Sequence, residues 1–191
     1  MHRMKNTPLL LLPLLLAAVL TGCTGTAKLA AYQKKPLPKL EYPLQVREVV
    51  ILDGRMGASA GEIKLPLVSA PGTHIKHVPA LTAAHRDVLE NTIRAHTTNR
   101  GPRVKGVITI EEAYEEFSST WSAERERGFA QLTIAFYSLE GDQLVAERTS
   151  SGDFLVQSID ATPQKMEEVY RLALRNVLYE CLKNLDGSSV K

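Results

Sequence analysis

Of the residues whose types and spacing could do chemistry, the histidines come first. His74-Ile75-Lys76-His77 sets two imidazoles three positions apart, and with a third ligand from His85 or His96 they could share a zinc ion. No acid or cysteine stands nearby at metal spacing, and the Pro71, Gly72 and Pro79 punctuation marks the segment as loop, so no metal is expected. Ser118, Ser119 and Ser122 could supply a nucleophile, but none sits in a Gly-x-Ser-x-Gly elbow. Glu111, Glu112, Glu115 and Glu116 form an acidic run answered by Arg125 and Arg127. Two carboxylates hydrolyse a glycosidic bond only when they face each other across a cleft, and on neighbouring strand ends these are expected to be solvated or ion-paired. Asp53, followed by Gly54 and Arg55, reads as a turn starter. The glycines from Gly54 to Gly61 lack the spacing and the following helix of a phosphate loop or a dinucleotide fingerprint. The expectation is therefore no catalytic residue, no cofactor, and no convergence of polar groups around His74, His77 or Glu112.

The two cysteines differ in setting. Cys181 falls on the apolar face of a helix and reads as a small core hydrophobe; Glu180 and Leu182 beside it offer nothing to activate the thiol. Cys23 closes a different pattern. His2, Arg3 and Lys5 precede the apolar run Pro8 to Leu20, the charged-then-apolar layout of a secretory signal. That run is shorter than the roughly 20 apolar residues of a membrane span and holds Pro8 and Pro13. Leu20-Thr21-Gly22-Cys23 then offers small residues to a peptidase cutting between Gly22 and Cys23, and a thiol that can carry lipid.

This segment resembles the lipobox of bacterial lipoproteins. The resemblance implies a diacylglycerol on the Cys23 thiol, cleavage before it, and acylation of the new amine by a chain such as palmitate. Each buried methylene contributes about 0.8 kcal/mol, so two or three chains suffice as an anchor. Thr24 stands after the cysteine, where an Asp resembles an inner-membrane retention signal. This implies the outer membrane, periplasmic face, with the periplasmic face of the inner membrane as the alternative.

Removing residues 1–22 leaves about 170 residues, the size of one domain. A composition 44% hydrophobic and 23% charged is that of an ordinary globular protein. The net charge of +2 and the lack of a basic stripe with interleaved aromatics exclude nucleic acid as a partner. Residues 23–43, with Pro36, Pro38 and Pro43 and four lysines, read as a tether, residues 44–185 as the domain, and residues 186–191 as a flexible tail.

Within the domain, Leu44 to Asp53 is apolar on both faces and predicts an interior strand. Glu62 to Val68 alternates around Pro66 and predicts an edge strand. Leu81 to about Thr97 carries a helical stripe, and Thr162-Pro163 opens a second helix that runs to about Leu185. Between the helices, Val104 to Phe117, Gly128 to Ser138 and Gln143 to Thr149 alternate with period two and predict a three-stranded antiparallel meander. The expected fold is α+β: a mostly antiparallel sheet with both helices on one face. Tyr114, Phe117, Trp121 and Phe129 gather around the first hairpin; packed inward they are core, exposed they would be a partner interface.

The lipobox, a strand ending in Val49-Val50-Ile51-Leu52-Asp53-Gly54-Arg55, a helix, a meander carrying Ala130-Gln131-Leu132-Thr133-Ile134-Ala135-Phe136 and Leu144-Val145-Ala146-Glu147-Arg148, and a closing helix together resemble the YajG-like and ABC-transport auxiliary lipoproteins. The resemblance implies a noncatalytic envelope role and carries over no functional residue. Three function classes follow: a membrane-tethered binding or adaptor module that meets an envelope protein and aids transport or assembly, a carrier of a small apolar ligand or lipid, and a hydrolase. A carrier requires an apolar cavity of a few hundred cubic ångströms, and an adaptor an exposed apolar patch.

Overall fold

The computed structural model describes Leu29, Tyr32 and residues 35–185. The signal segment 1–22, the Gly22/Cys23 junction and the tail 186–191 lie outside the described residues. Among the described residues an open α+β sheet of five strands packs with two long helices. Strands β1 (Gln45–Asp53), β2 (His74–His77), β3 (Arg103–Ser119), β4 (Glu124–Ser138) and β5 (Leu144–Ser158) are joined by helices α1 (Ala83–His96) and α2 (Pro163–Lys183).

The meander β3–β4–β5 is the frame, antiparallel throughout. It is longer than its apolar pattern predicts, because the Ser150–Ser158 half of β5 follows β4 with few inward apolar side chains of its own. A bulge at Glu111 of β3 shifts the alternation by one residue. Val104, Ile108 and Ile110 before it, and Ala113, Glu115, Phe117 and Ser119 after it, are all buried. The extra residue thus restores the inward face that an odd step would have turned outward. Its carboxylate accepts hydrogen bonds from Gln131 and Thr133, both of which the alternation points outward.

β1 runs parallel to the first half of β3. It lies at the sheet's edge, not in its interior, and a bulge at Arg47 puts Val46 on the same side as Val49 and Ile51, against the core. Leu52 is left half exposed on the other side. The second half of β3 receives β2, antiparallel over Glu115–Ser118. The histidine segment read as loop is therefore a strand, short and too polar to show a strand pattern. Conversely, Glu62–Val68 pairs with nothing as a strand: Ile63 plugs into Phe117 and Met166, while Leu67 is fully exposed.

Both helices cover one face. Leu89 and Ile93 of α1 and Leu174 and Leu178 of α2 meet Ile108, Leu132 and Phe136 in one core. Thr82 caps α1 with a reciprocal capping box, and Thr162 caps α2 ahead of Pro163. α2 sits very close to β4 at Gly128, where a Cβ would lie 2.8 Å from the Tyr170 Cα and the Val169 carbonyl oxygen. Cys181 is fully buried, as its place on the apolar face implies.

The described part of the tether is docked. Leu29 packs on Val156, Val169 and Leu172, and the Tyr32 ring meets Phe154 edge-on. The Leu40 amide donates to His96 Nδ1, and the Tyr42 hydroxyl donates to the Leu185 carbonyl at 3.2 Å. Apolar residues spaced between the prolines and lysines give this segment a footing that composition alone does not suggest.

Candidate functional site

β1 and β2 share one edge of β3 but do not meet, and polar side chains converge where they part. Asp53 ends β1, and Gly54 donates its amide to the Ile110 carbonyl. The chain then turns so that Arg55 enters the gap. Its Nε and Nη2 grip the Asp53 carboxylate at 2.7 and 2.8 Å, and its Nη1 donates to the Tyr170 hydroxyl at 2.7 Å and the Ala113 carbonyl at 3.3 Å. The guanidinium side chain is only 2% exposed. Burial opposes its charge, but Asp53 and Tyr170 outweigh that and hold its pKa above the ordinary value. In turn Arg55 holds the Asp53 carboxyl below its usual range, and burial pushes the Tyr170 hydroxyl well up. Asp53 does start a turn, since its Oδ1 accepts the Arg55 amide. The burial of the arginine was invisible because the groups that enclose it, Tyr170 and the Ala113 carbonyl, are distant in sequence.

Beside this network His77 of β2 stands between two partners, Ser59 Oγ at 3.1 Å from Nε2 and Glu115 Oε2 at 3.2 Å from Nδ1. Glu115 is almost wholly buried; desolvation raises its pKa, against the His77 hydrogen bond, which lowers it. The order hydroxyl, imidazole, carboxylate is that of an acyl-transfer relay. Here it ties the 54–61 loop to the sheet, for the Ser59 amide donates to the Val78 carbonyl and the Ser59 carbonyl accepts from Ala80. With its own amide engaged, Ser59 lacks one of the donors that would stabilise an oxyanion on it. The expectation that nothing polar gathers at His77 is thus corrected: pairing β2 with Glu115–Ser118 brings Glu115 opposite His77.

His85 completes the set. It is fully buried in the first turn of α1, where its Nδ1 accepts the Thr82 amide. The ring proton therefore sits on Nε2, which donates to Glu167 Oε1 of α2 at 2.7 Å. Its ring packs edge-on against Tyr170 at 5.0 Å.

Of these groups His85, Glu115 and Glu167 line a cavity of about 510 Å³ between the 60–63 loop, the Pro79–His85 segment and the first turns of α2. Ile63, Pro79 and Ala80 supply apolar wall, and Glu62, Glu115, Glu167 and Glu168 supply carboxylates alongside His85. Among the described residues, no group of three or more His, Cys, Asp or Glu side chains is arranged to hold a metal ion.

The remaining residues singled out from sequence are dispersed. His74 and Arg127 both bond Glu116, and Arg127 also bonds Asp153, on the face away from the helices. Lys76 reaches Glu112 and lies 3.6 Å from the centre of the Tyr114 ring. The acidic run is indeed ion-paired in part. The four aromatics do not form one cluster. Phe117 is core, Tyr114 and Phe129 stack at 5.0 Å on the outer face of the sheet, and Trp121 projects from the β3–β4 turn, almost fully exposed. Phe117 and Tyr114 lie an odd number of residues apart on one strand, so a pleated sheet must send them to opposite faces.

No protein-family model matches the chain, and no curated protein sequence matches it. Among solved structures, it is similar to a DUF330-family protein from Xanthomonas campestris, at 19% identity and a TM-score of 0.41 over 76% of this chain and 84% of the other. It is also similar to a minor lipoprotein from Acinetobacter baumannii, at 11% identity and a TM-score of 0.40 over 79% of this chain and 95% of the other.

Proposed function

We propose that this chain is a lipid-anchored protein of the bacterial envelope whose domain is a noncatalytic binding module. The anchor is read from Leu20-Thr21-Gly22-Cys23 behind an apolar signal run. The outer membrane is its proposed location, because Thr24 follows the cysteine. The observation that carries the binding role is the cavity of about 510 Å³, within the size range of pockets that take up small molecules. Its carboxylates outnumber its one imidazole, so it suits a ligand with an apolar body and a hydrogen-bond-donating or cationic head. Two of its polar wall groups are engaged across the elements, His85 of α1 with Glu167 of α2 and Glu115 of β3 with His77 of β2, which holds the wall in a fixed shape.

The test is native mass spectrometry of the lipidated protein purified from its own membranes in mild detergent. A retained small molecule, lost when Ala80→Trp fills the cavity, supports this reading. A ligand-free domain recovered instead with a stoichiometric envelope protein would replace the carrier role with the adaptor role.

A further inference from the structure

One end of the sheet is apolar without being covered. The β3–β4 turn presents Trp121 at 92% exposure, and Ile159, just past the end of β5, is 66% exposed. The Ala70–Thr73 loop is tied to the same end, since Gly72 donates to the Ser119 carbonyl and Ser119 Oγ donates to the Ala70 carbonyl. Just before that loop Val68 is 84% exposed and Leu67 wholly so. Leu67 and Ile159 line one cleft of about 210 Å³. The acids at this end are held by the protein itself, although one buried oxygen of Glu126 has no hydrogen-bond partner. Glu124 accepts the Ala161 amide, Glu126 is buried with Ser158, and Asp160 pairs with Lys165. Exposed large apolar side chains gathered at one place mark a contact surface.

The course of the chain says what that surface meets. Leu29 packs on Val156, two positions from the end of β5 that pairs with Glu124. About six residues separate it from Cys23, which fully extended span at most roughly 20 Å. The 17 residues of β3 stretch roughly 50 Å from one end of the sheet to the other. A lipid on Cys23 therefore keeps the Trp121 end close to the bilayer, whereas it places no such constraint on the Arg103 end.

We propose that Trp121, Leu67, Val68 and Ile159 dock on the bilayer, seating the indole at the headgroup level where tryptophan is favoured. This rests on acylation of Cys23, and it fixes the domain's orientation: the sheet stands on end, with the start of β1 pointing away from the membrane.

Trp121 is the only tryptophan in the chain, so its fluorescence reports this surface alone. The lipidated full-length product is reconstituted into phosphatidylethanolamine/phosphatidylglycerol vesicles with and without brominated acyl chains. The mass of the Cys23 peptide and flotation with the vesicles are measured in parallel. Docking predicts a blue-shifted emission quenched by the brominated lipid. It also predicts loss of most of that quenching in the combined Leu67→Ser, Val68→Ser, Ile159→Ser variant, which still floats. Acylated, floating protein whose Trp121 emits as in water and is not quenched overturns docking and leaves the anchor standing. Unacylated protein that stays off the vesicles overturns both. Emission that is blue-shifted without vesicles and tracks protein concentration assigns the surface to a second copy of the chain and overturns docking too.

Discussion

The Arg55 guanidinium donates to the Tyr170 hydroxyl over 2.7 Å through the gap between β1 and β2, joining the sheet edge to the middle of α2. Because the guanidinium is buried, the network matters most through what its loss leaves unpaired. Asp53→Asn removes the charge that balances Arg55 and is expected to cost about 3 kcal/mol, and Tyr170→Phe about 2 kcal/mol. Urea unfolding measures both. The Asp53 pKa is lowered in the folded state, so its contribution is complete above the unfolded carboxyl value of about 3.9 and fades as pH falls below it. The stability gap between the wild type and Asp53→Asn should therefore close in acid.

Gly128 has a different role, that of allowing close approach. An alanine Cβ there would meet α2 backbone at 2.8 Å, and backbone cannot rotate away. Gly128→Ala is expected to lift α2 from β4 and destabilise the fold by about 1–3 kcal/mol, the usual range for overpacking. Gly141→Ala, in the β4–β5 turn with only a Gln143 side-chain atom at 3.9 Å, is the matched control and should unfold with the wild type.

These two positions also show what could be read before the structure. The meander and both helices were legible because Leu132, Ile134 and Phe136, or Val169, Ala173 and Val177, repeat at the period of their element. The Gly128 contact, the Arg55–Tyr170 bond and the His77–Glu115 bond were not, because each depends on which elements lie side by side. β2 was the least legible: His74 and Lys76 face outward, and its pairing with β3 supplies what its own pattern lacks. Glu111 misleads similarly, for a bulge changes the face of every later residue while leaving composition untouched.

His85 separates two roles that a single deletion would merge. His85→Gln keeps a side-chain acceptor for the Thr82 amide, as in the usual capping box, but cannot reproduce the ring geometry toward Glu167 and Tyr170. His85→Ala loses both and leaves a void in the cavity wall. The expected order of melting temperatures is wild type, then Gln, then Ala, with about 2 kcal/mol across the series. Equal losses in both variants would show that the cap contributes nothing.

Ser59 and His77 carry the connectivity of a hydrolase, but the Ser59 amide, one of the usual oxyanion donors, is bonded to the Val78 carbonyl. A fluorophosphonate probe is expected to leave Ser59 unlabelled, whereas labelling that His77→Ala abolishes would make the chain a serine hydrolase. His77→Ala is expected to destabilise the fold by about 1–3 kcal/mol by removing the donor to buried Glu115. Ser59→Ala, at an exposed hydroxyl, should be nearly neutral.

The two thiols make the anchor countable. Cys181 is buried, its Sγ lies 3.4 Å from the Leu132 carbonyl oxygen, and burial raises its pKa, so native protein should not react there. Acylation of Cys23 would consume the other thiol as a thioether. The mature protein extracted from membranes is then expected to show no thiol reactive toward dithionitrobenzoate when native and one when denatured in guanidinium. A Cys23→Ser product should give the same two counts from the soluble fraction. One thiol reactive in the native wild type would place a free Cys23 in the protein and remove the lipid from the account.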